Sequence, residues 1–169
     1  MSSILGLDPG SRHTGYGLID CSGAGPRLLD CGTIDSAATD PLPVRLAHIH
    51  RQVAHLVCTW HPSEVVAEKV FVHRNVHSAL VLGQARGAAL AAAMDQPEPP
   101  SVTEYSPREI KQAVTAYGSA QKNQIQKMVA LLLGLAELPS VDAADALAVA
   151  LCHAHQVRWR RWTRQAGRA

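Results

Sequence analysis

The sequence has few aromatic residues and no long apolar run. Aromatic residues make up 4% of its 169 positions, with a single Phe, so a core has to be built mostly from Leu, Val and Ala. No apolar stretch approaches the roughly 18 residues of a membrane span. The first residues also lack the basic, apolar and small-residue layout of a signal peptide. We therefore expect a cytoplasmic protein with no membrane association.

Cysteine is also scarce. The four cysteines are scattered along the chain and include no Cys-x-x-Cys pair: Cys21, Cys31, Cys58 and Cys152. Nine histidines are present, but the pairs at 48/50 and 153/155 lack the companion ligands of a zinc motif. We expect reduced thiols, and neither a disulfide framework nor a structural zinc site.

Acidic residues are missing from the C-terminal segment, although the net charge of the chain is only +2. Residues 156–169 carry five Arg and no acid, which leaves 11 basic and 14 acidic residues, a balance of −3, in the first 155. We expect one domain over residues 1–155, large enough for its own core, followed by a basic Trp/Arg tail over 156–169. Such a tail either binds nucleic acid or is a solvated, frayed terminus.

The order of hydrophobic patterns predicts an α/β fold. Strands are expected at 4–8, 14–20, 27–34, 64–71 and 102–105, and helices at 41–60, 76–94, from 107, at about 120–133 and at about 141–155. Ser106-Pro107 followed by Glu109 has the pattern of a capped helix start. An opening meander implies antiparallel pairing, and the later strand–helix alternation implies parallel pairing. We therefore expect a mixed five-stranded sheet flanked by helices on both faces.

The first hairpin places a carboxylate at the end of a buried strand. Asp8 follows the apolar run from Ile4, and Pro9-Gly10 then turns the chain. Asp8 either caps this turn or serves metal or acid–base chemistry from a rigid strand. In the returning strand, Gly15 and Gly17 leave one face bare, which suits close approach by another backbone or by a ligand.

Three further acids lie where they can join Asp8. Glu68 follows a short β-branched strand, and Asp142 and Asp145 share a face near the start of the last helix. Asp142 is also a plausible N-cap. Asp145 lies on an Ala/Leu/Val helix, where a carboxylate needs a cation or hydrogen bonds. Carboxylates that converge select Mg²⁺ or Mn²⁺ over zinc.

The second predicted helix has a bare face. Ala79, Gly83, Gly87 and Ala91 recur at four-residue intervals. This face allows another helix to approach closely, either within the domain or across a dimer interface.

Six motifs in order resemble those of the RuvC-type Holliday-junction resolvases, over the chain up to about His155. They are Leu5-Gly-Leu-Asp8-Pro-Gly-Ser-Arg-His-Thr-Gly-Tyr-Gly17, Glu68-Lys-Val-Phe71, Ser78-Ala-Leu-Val-Leu-Gly-Gln-Ala-Arg-Gly87, Lys111-Gln, Gly118-Ser-Ala-Gln-Lys122 and Asp142-Ala-Ala-Asp-Ala-Leu-Ala148. The resemblance implies a ribonuclease H-like fold and a homodimer that cuts four-way DNA junctions by paired symmetric nicks in recombination and repair. It also implies partnership with a branch-migration complex of the RuvA and RuvB type.

The resemblance assigns catalysis and metal binding to Asp8, Glu68, Asp142 and Asp145. Two Mg²⁺ ions per active site are expected, with Mn²⁺ as a substitute, and hydrolysis that leaves 5′-phosphate and 3′-OH ends. Some members of the family carry His at the position of Asp142. Ala67 departs from the larger aliphatic residue common before the strand-end Glu, so we expect different packing behind that acid.

DNA contacts carry over to five residues. Phe71 matches a residue thought to stack on an unpaired base, although a core Phe is the alternative. Lys111 and Lys122 match basic residues near the scissile phosphate, against the alternative of ordinary surface lysines. Arg74 and Arg86 are weaker candidates for phosphate contact.

Three other functions compete with this prediction. A non-catalytic junction-binding protein would retain the fold without cutting. An ATP-binding protein of the actin-like superfamily also uses an Asp beside a Gly-rich hairpin, but it normally needs two such domains. A nuclease acting on RNA–DNA hybrids would differ in substrate alone.

Overall fold

The structure is a computed structural model that describes residues 3–69 and 75–166. Its strands are β1 (Ser3–Asp8), β2 (His13–Asp20), β3 (Arg27–Asp35), β4 (Glu64–Glu68) and β5 (Ser101–Tyr105). Its helices are α1 (Leu42–Trp60), α2 (Val76–Met94), α3 (Pro107–Thr115), α4 (Lys122–Leu133) and α5 (Val141–Ala166).

The five strands form one mixed sheet in the order β3-β2-β1-β4-β5. The β1–β2–β3 meander is antiparallel, while β4 pairs in parallel with β1 and with β5. β1 therefore lies at the centre of the sheet, between the antiparallel and the parallel halves. The predicted mixed sheet is confirmed.

Alternating side chains of the sheet fill two cores. Leu5, Leu7 and Val65 pack with α1 and α2, on what we call the α1 face of the sheet. Ile4 and Val66 point the other way and pack with α3, α4 and α5, on the α5 face. Because side chains alternate along a strand, each buried strand contributes to both cores. Helices on both faces, as predicted, are confirmed.

The helix start predicted at Ser106 is present. The Ser106 hydroxyl accepts a hydrogen bond from the Glu109 backbone N–H, and the Glu109 carboxylate accepts one from the Ser106 backbone N–H. This reciprocal pairing satisfies two backbone donors at the start of α3. Pro107 occupies the first turn, where its missing N–H costs nothing.

Three predicted boundaries are wrong. The last helix continues to Ala166 instead of ending near His155, because no Gly or Pro interrupts the chain before Gly167. α4 begins at Lys122, two residues later than predicted, because Gln121 and Gln124 form its capping pair. β4 ends at Glu68 and Lys69 is not part of the strand, contrary to the predicted continuation, whose last two residues, 70 and 71, lie outside the described residues.

The bare face of α2 does not pack inside the domain. Methyl groups built on Gly83 and Gly87 meet no atom of residues 3–69 or 75–166 within 4 Å. The helix instead buries Ala85, Ala89 and neighbouring alanines in the core of the α1 face. Of the two alternatives for this glycine face, packing within the protomer is wrong, and a contact across a dimer interface stays a prediction. Among the described residues, no helix is long and apolar enough to cross a membrane.

Candidate active site

Two predicted acids meet at one edge of the sheet. Asp8 is the last residue of β1 and Glu68 the last of β4, and these neighbouring parallel strands pair as far as Leu7 and Ala67. Side chains two residues apart along a strand point to the same face of the sheet. Asp8 is four residues from Ile4, and Glu68 is two from Val66, so both carboxylates project toward the α5 face.

Three glycines bring α5 against this part of the sheet. A methyl group at Gly6 would lie 2.1 Å from the carbonyl oxygen of Ala146, and one at Gly15 would lie 2.0 Å from that of Asp142. At Gly17 it would lie 2.6 Å from the Leu147 side chain. Real side chains do not approach so closely, so the glycines are required for this contact. Of the two alternatives for the bare strand face, close approach by another backbone is the one that the structure shows.

The start of α5 therefore lies beside the two strand ends. Asp145, on its second turn, lines a cleft of about 270 Å³ together with the two strand-end acids and residues of α3 and α4. We call this the acidic cleft; its lining is Asp8, Glu68, Pro107, Ile110, Lys111, Lys122, Ile125, Asp145 and Ala148. Asp142 is half-buried at the start of α5 and is not part of the lining.

Asp8 is held in an environment that opposes its charge. Burial raises the pKa of its carboxyl from 3.8 to about 7, and the charges of Asp145, Glu68 and Asp142 act in the same direction. Lys122 acts in the opposite direction. A buried carboxylate surrounded by other acids is stabilised by any cation placed among them.

Glu68 shows the same behaviour. Burial raises its pKa above the ordinary value, and Asp145 contributes to the rise. Lys111 and Lys122 oppose it. The two lysines predicted from the family motifs therefore both lie within electrostatic reach of the acids.

Lys122 makes a direct contact with one acid. Its Nζ donates a hydrogen bond of 2.8 Å to Oδ2 of Asp145. This bond raises the pKa of Lys122. The lysine side chain is 70% exposed and that of Asp145 only 17%, so the ammonium covers the cleft from its solvent side.

The donor set suits a hard divalent cation. Carboxylate oxygens are the ligands that Mg²⁺ and Mn²⁺ prefer. The pKa of Asp8 is raised by burial and by the neighbouring acids, and a bound cation would balance their negative charge. Among residues 3–69 and 75–166, however, no three Asp, Glu, His or Cys side chains lie close enough together to hold an ion as they stand. The acids are gathered in one cleft, and Lys122 occupies part of the space beside Asp145.

The remaining predicted DNA contacts differ in their placement. Phe71 and Arg74 lie outside the described residues. Arg86 is largely buried: its Nε donates a hydrogen bond of 3.1 Å to the backbone carbonyl of Glu68, and its guanidinium forms an ion pair with Glu104. The sequence reasoning missed Glu104, because no local signal links residues 18 positions apart.

His153 lies away from the cleft. Its Nδ1 is 2.8 Å from the hydroxyl of Tyr105, and its Nε2 is hydrogen-bonded to Glu64, the first residue of β4. Glu68 is at the opposite end of that strand. His155 is hydrogen-bonded to the carbonyl of Ala113. Neither histidine contributes to the lining of the acidic cleft.

A solved structure shares this architecture. Thermus thermophilus RuvC in complex with Holliday junction substrate matches with a TM-score of 0.85 and 35% sequence identity, over 94% of this chain and 96% of that chain. The shared fold and the acids at the ends of its central strands define a ribonuclease H-like nuclease.

Sequence comparisons identify the family. The family model for "Crossover junction endodeoxyribonuclease RuvC" matches residues 4–153. The RuvC protein of Alkalilimnicola ehrlichii is 48% identical over 99% of both chains. That of Marinobacter nauticus is 51% identical over 92% of this chain and 87% of its own. The chain belongs to the RuvC family of crossover junction endodeoxyribonucleases.

Proposed function

We propose that this protein resolves four-way DNA junctions by paired symmetric nicks in homologous recombination and repair. The observation that carries the proposal is the acidic cleft, in which Asp8, Glu68 and Asp145 lie beside Lys111 and Lys122. Family membership and the likeness to a RuvC solved with junction DNA support the choice of substrate.

The four acids are proposed to hold the metal that nucleases of this family require. Asp8, Glu68 and Asp145 would bind from the cleft, with Asp142 as the fourth ligand from the start of α5. Mg²⁺ is proposed as the natural ion, two per site, with Mn²⁺ as a substitute. When bound, such ions supply an activated water and stabilise the leaving 3′-oxygen, which leaves a 5′-phosphate.

The protein's own residues carry out the other tasks. With a cation bound among the acids, Asp145 would no longer need Lys122 as its partner, and the Lys122 ammonium would be free to pair with the scissile phosphate. Lys111 also lines the cleft and adds positive charge near Glu68. Phe71 is proposed to stack on an unpaired base at the crossover, and Arg74 to contact a phosphate.

Symmetric nicks require two active sites. We propose a homodimer formed through the exposed face of α2, where Leu80 and the two open glycines lie. Small residues allow two helices to approach closely, and the exposed Leu supplies apolar area. A branch-migration complex of the RuvA and RuvB type is proposed as partner, and the cytoplasm as the compartment, from family membership.

A cleavage assay tests the proposal. The protein is incubated with a labelled four-way junction and with a linear duplex of the same sequence, in Mg²⁺, Mn²⁺ or EDTA. We expect paired symmetric nicks in the junction alone, in either metal and not in EDTA. Asp8→Asn and Asp145→Asn should abolish cutting and retain junction binding. Cutting by either variant would refute the assignment, and binding without cutting by the wild type would favour a non-catalytic junction-binding protein.

A further inference from the structure

The end of β4 determines where the Glu68 carboxylate lies. Glu68 is the final residue of the strand, and the backbone N–H of the next residue, Lys69, donates to the carbonyl of Tyr105. A carbonyl at a strand end needs a partner from outside the strand pairing. The Glu68 carbonyl has one, because it accepts the 3.1 Å hydrogen bond from Nε of Arg86.

Arg86 is in turn oriented by Glu104. Its terminal Nη2 forms an ion pair with the Glu104 carboxylate on β5, and its side chain is only 19% exposed. The guanidinium thus binds a side chain of β5 through Nη2 and the backbone of β4 through Nε. The bridge connects the two strands at the level where β4 ends.

This bridge lies on the face of the sheet opposite the acidic cleft. Side chains alternate along β4, and Val66 points into the core of the α5 face. The next side chain, that of Ala67, is fully buried and therefore points to the α1 face. Glu104 pairs in register with Ala67 and therefore shares that face. Arg86 approaches from α2, which packs on the same side. It reaches the backbone of Glu68, while the Glu68 side chain enters the cleft on the other side.

We propose that Arg86 is a positioning residue, which fixes the end of β4 so that the Glu68 carboxylate is held in the cleft. This inference rests on the proposed function, since it takes Glu68 to be a metal ligand. It also reassigns Arg86, for which the family motifs suggested phosphate contact. Arg86 is largely buried and its charge is paired with Glu104, so it is poorly placed to bind a DNA phosphate.

Measurements of metal binding and of DNA binding distinguish a positioning role of Arg86 from a phosphate contact. We compare the wild type with Arg86→Ala and Glu104→Gln, using Arg51→Ala as the control, since Arg51 is exposed on α1. Mn²⁺ binding is measured by calorimetry without DNA, and junction binding is measured in EDTA. The Mg²⁺ concentration for half-maximal cleavage is measured at saturating junction.

Arg86→Ala should weaken Mn²⁺ binding, and raise the half-maximal Mg²⁺ concentration, about tenfold, the scale found when a group that orients a metal ligand is removed. Junction affinity in EDTA should stay within about twofold of the wild type, as should every property of Arg51→Ala. Glu104→Gln should shift the metal requirement in the same direction by a smaller factor, because the guanidinium keeps its bond to the Glu68 carbonyl.

Two results would overturn the inference. One is weaker junction binding in EDTA with an unchanged metal requirement, which would make Arg86 a phosphate contact. The other is an unchanged metal requirement in both variants. If Arg86→Ala fails to fold by circular dichroism, Glu104→Gln decides alone. A wild type that neither binds Mn²⁺ nor cuts would instead refute the proposed function.

Discussion

The backbone of Gly15 lies so close to that of Asp142 that a methyl group at Gly15 would be 2.0 Å from the Asp142 carbonyl oxygen. Gly15 also pairs in register with Asp8. The same glycine is therefore neighbour to an acid of β1 and to an acid of α5. The distance between strand and helix at this point sets the distance between the acids.

Gly15→Ala should accordingly damage the site without changing any charged group. The methyl group forces the start of α5 away from the sheet, because backbone atoms are in its way. Overpacking of this kind costs about 1–3 kcal/mol, and Asp142 and Asp145 move with the helix. We expect a lower unfolding free energy in urea and a severe loss of junction cleavage.

Gly23→Ala is the matched control for this substitution, since a methyl group there meets no atom within 4 Å in the part of the chain that the structure describes. It should cleave at the wild-type rate and unfold at a similar urea concentration. Full activity of Gly15→Ala would show that the acids tolerate a displaced α5.

The metal-free protein should lose stability as pH rises, because of Asp8. Its pKa is about 7 in the folded state and 3.8 is the ordinary value, so between these values the folded state binds more protons than the unfolded state. Stability then falls with increasing pH over that window. Asp8→Asn removes this contribution. In EDTA, its advantage over the wild type in unfolding free energy should grow from about pH 4 to pH 7 and then level off.

Asp20→Asn provides a control of opposite sign. Hydrogen bonds from Ser22 lower the pKa of Asp20, so its charge favours the folded state above the ordinary pKa. Its replacement should not stabilise the protein as pH rises.

Adding Mg²⁺ should raise the melting temperature of the wild type at pH 7.5 more than that of Asp8→Asn. Equal responses to pH in the wild type and Asp8→Asn would contradict the assigned burial of this charge.

Lys122→Ala should impair cleavage through loss of a positive charge. The lysine contacts Asp145 and lowers the pKa values of Asp8 and Glu68. We expect a decrease of about 10²-fold in the single-turnover rate at saturating protein, within the range for a group that assists proton or phosphate chemistry. Lys127→Ala, an exposed lysine of the same helix, is the control. A rate for Lys122→Ala within about twofold of the wild type would contradict its role.

Local patterns were sufficient for most of the fold. The capping pair of Ser106 and Glu109 needs residues only three apart, and β1 was predicted from its own short apolar run. The end of α5 was misjudged because a basic Trp/Arg composition was treated as a boundary. The absence of Gly and Pro before Gly167 was the better signal, because composition alone does not stop a helix.

Long-range contacts at the site could not be predicted in the same way. The spacing of Asp142 and Asp145 places them on one helix face, but their approach to Asp8 depends on glycines in two strands. The sequence left open whether those glycines faced a ligand or a backbone. The ion pair between Arg86 and Glu104 is less predictable still. Arg and Glu are common on protein surfaces, and only the packing of α2 on the sheet brings these two together.

Gly87→Arg should convert a dimer into a monomer that still folds. Among the described residues, no atom lies within 4 Å of a methyl group at Gly87, so a side chain can leave the helix there toward solvent. Replacing a helical Gly also favours the helix by up to about 1 kcal/mol. If two copies of α2 face each other here, a long charged side chain prevents their approach, and light scattering should give half the wild-type mass.

Leu131→Arg, which changes an exposed Leu on α4, should leave the mass unchanged. The monomer should retain the acidic cleft, yet paired nicks should be lost, since one protomer reaches only one strand. A wild-type mass for Gly87→Arg would place the dimer interface elsewhere.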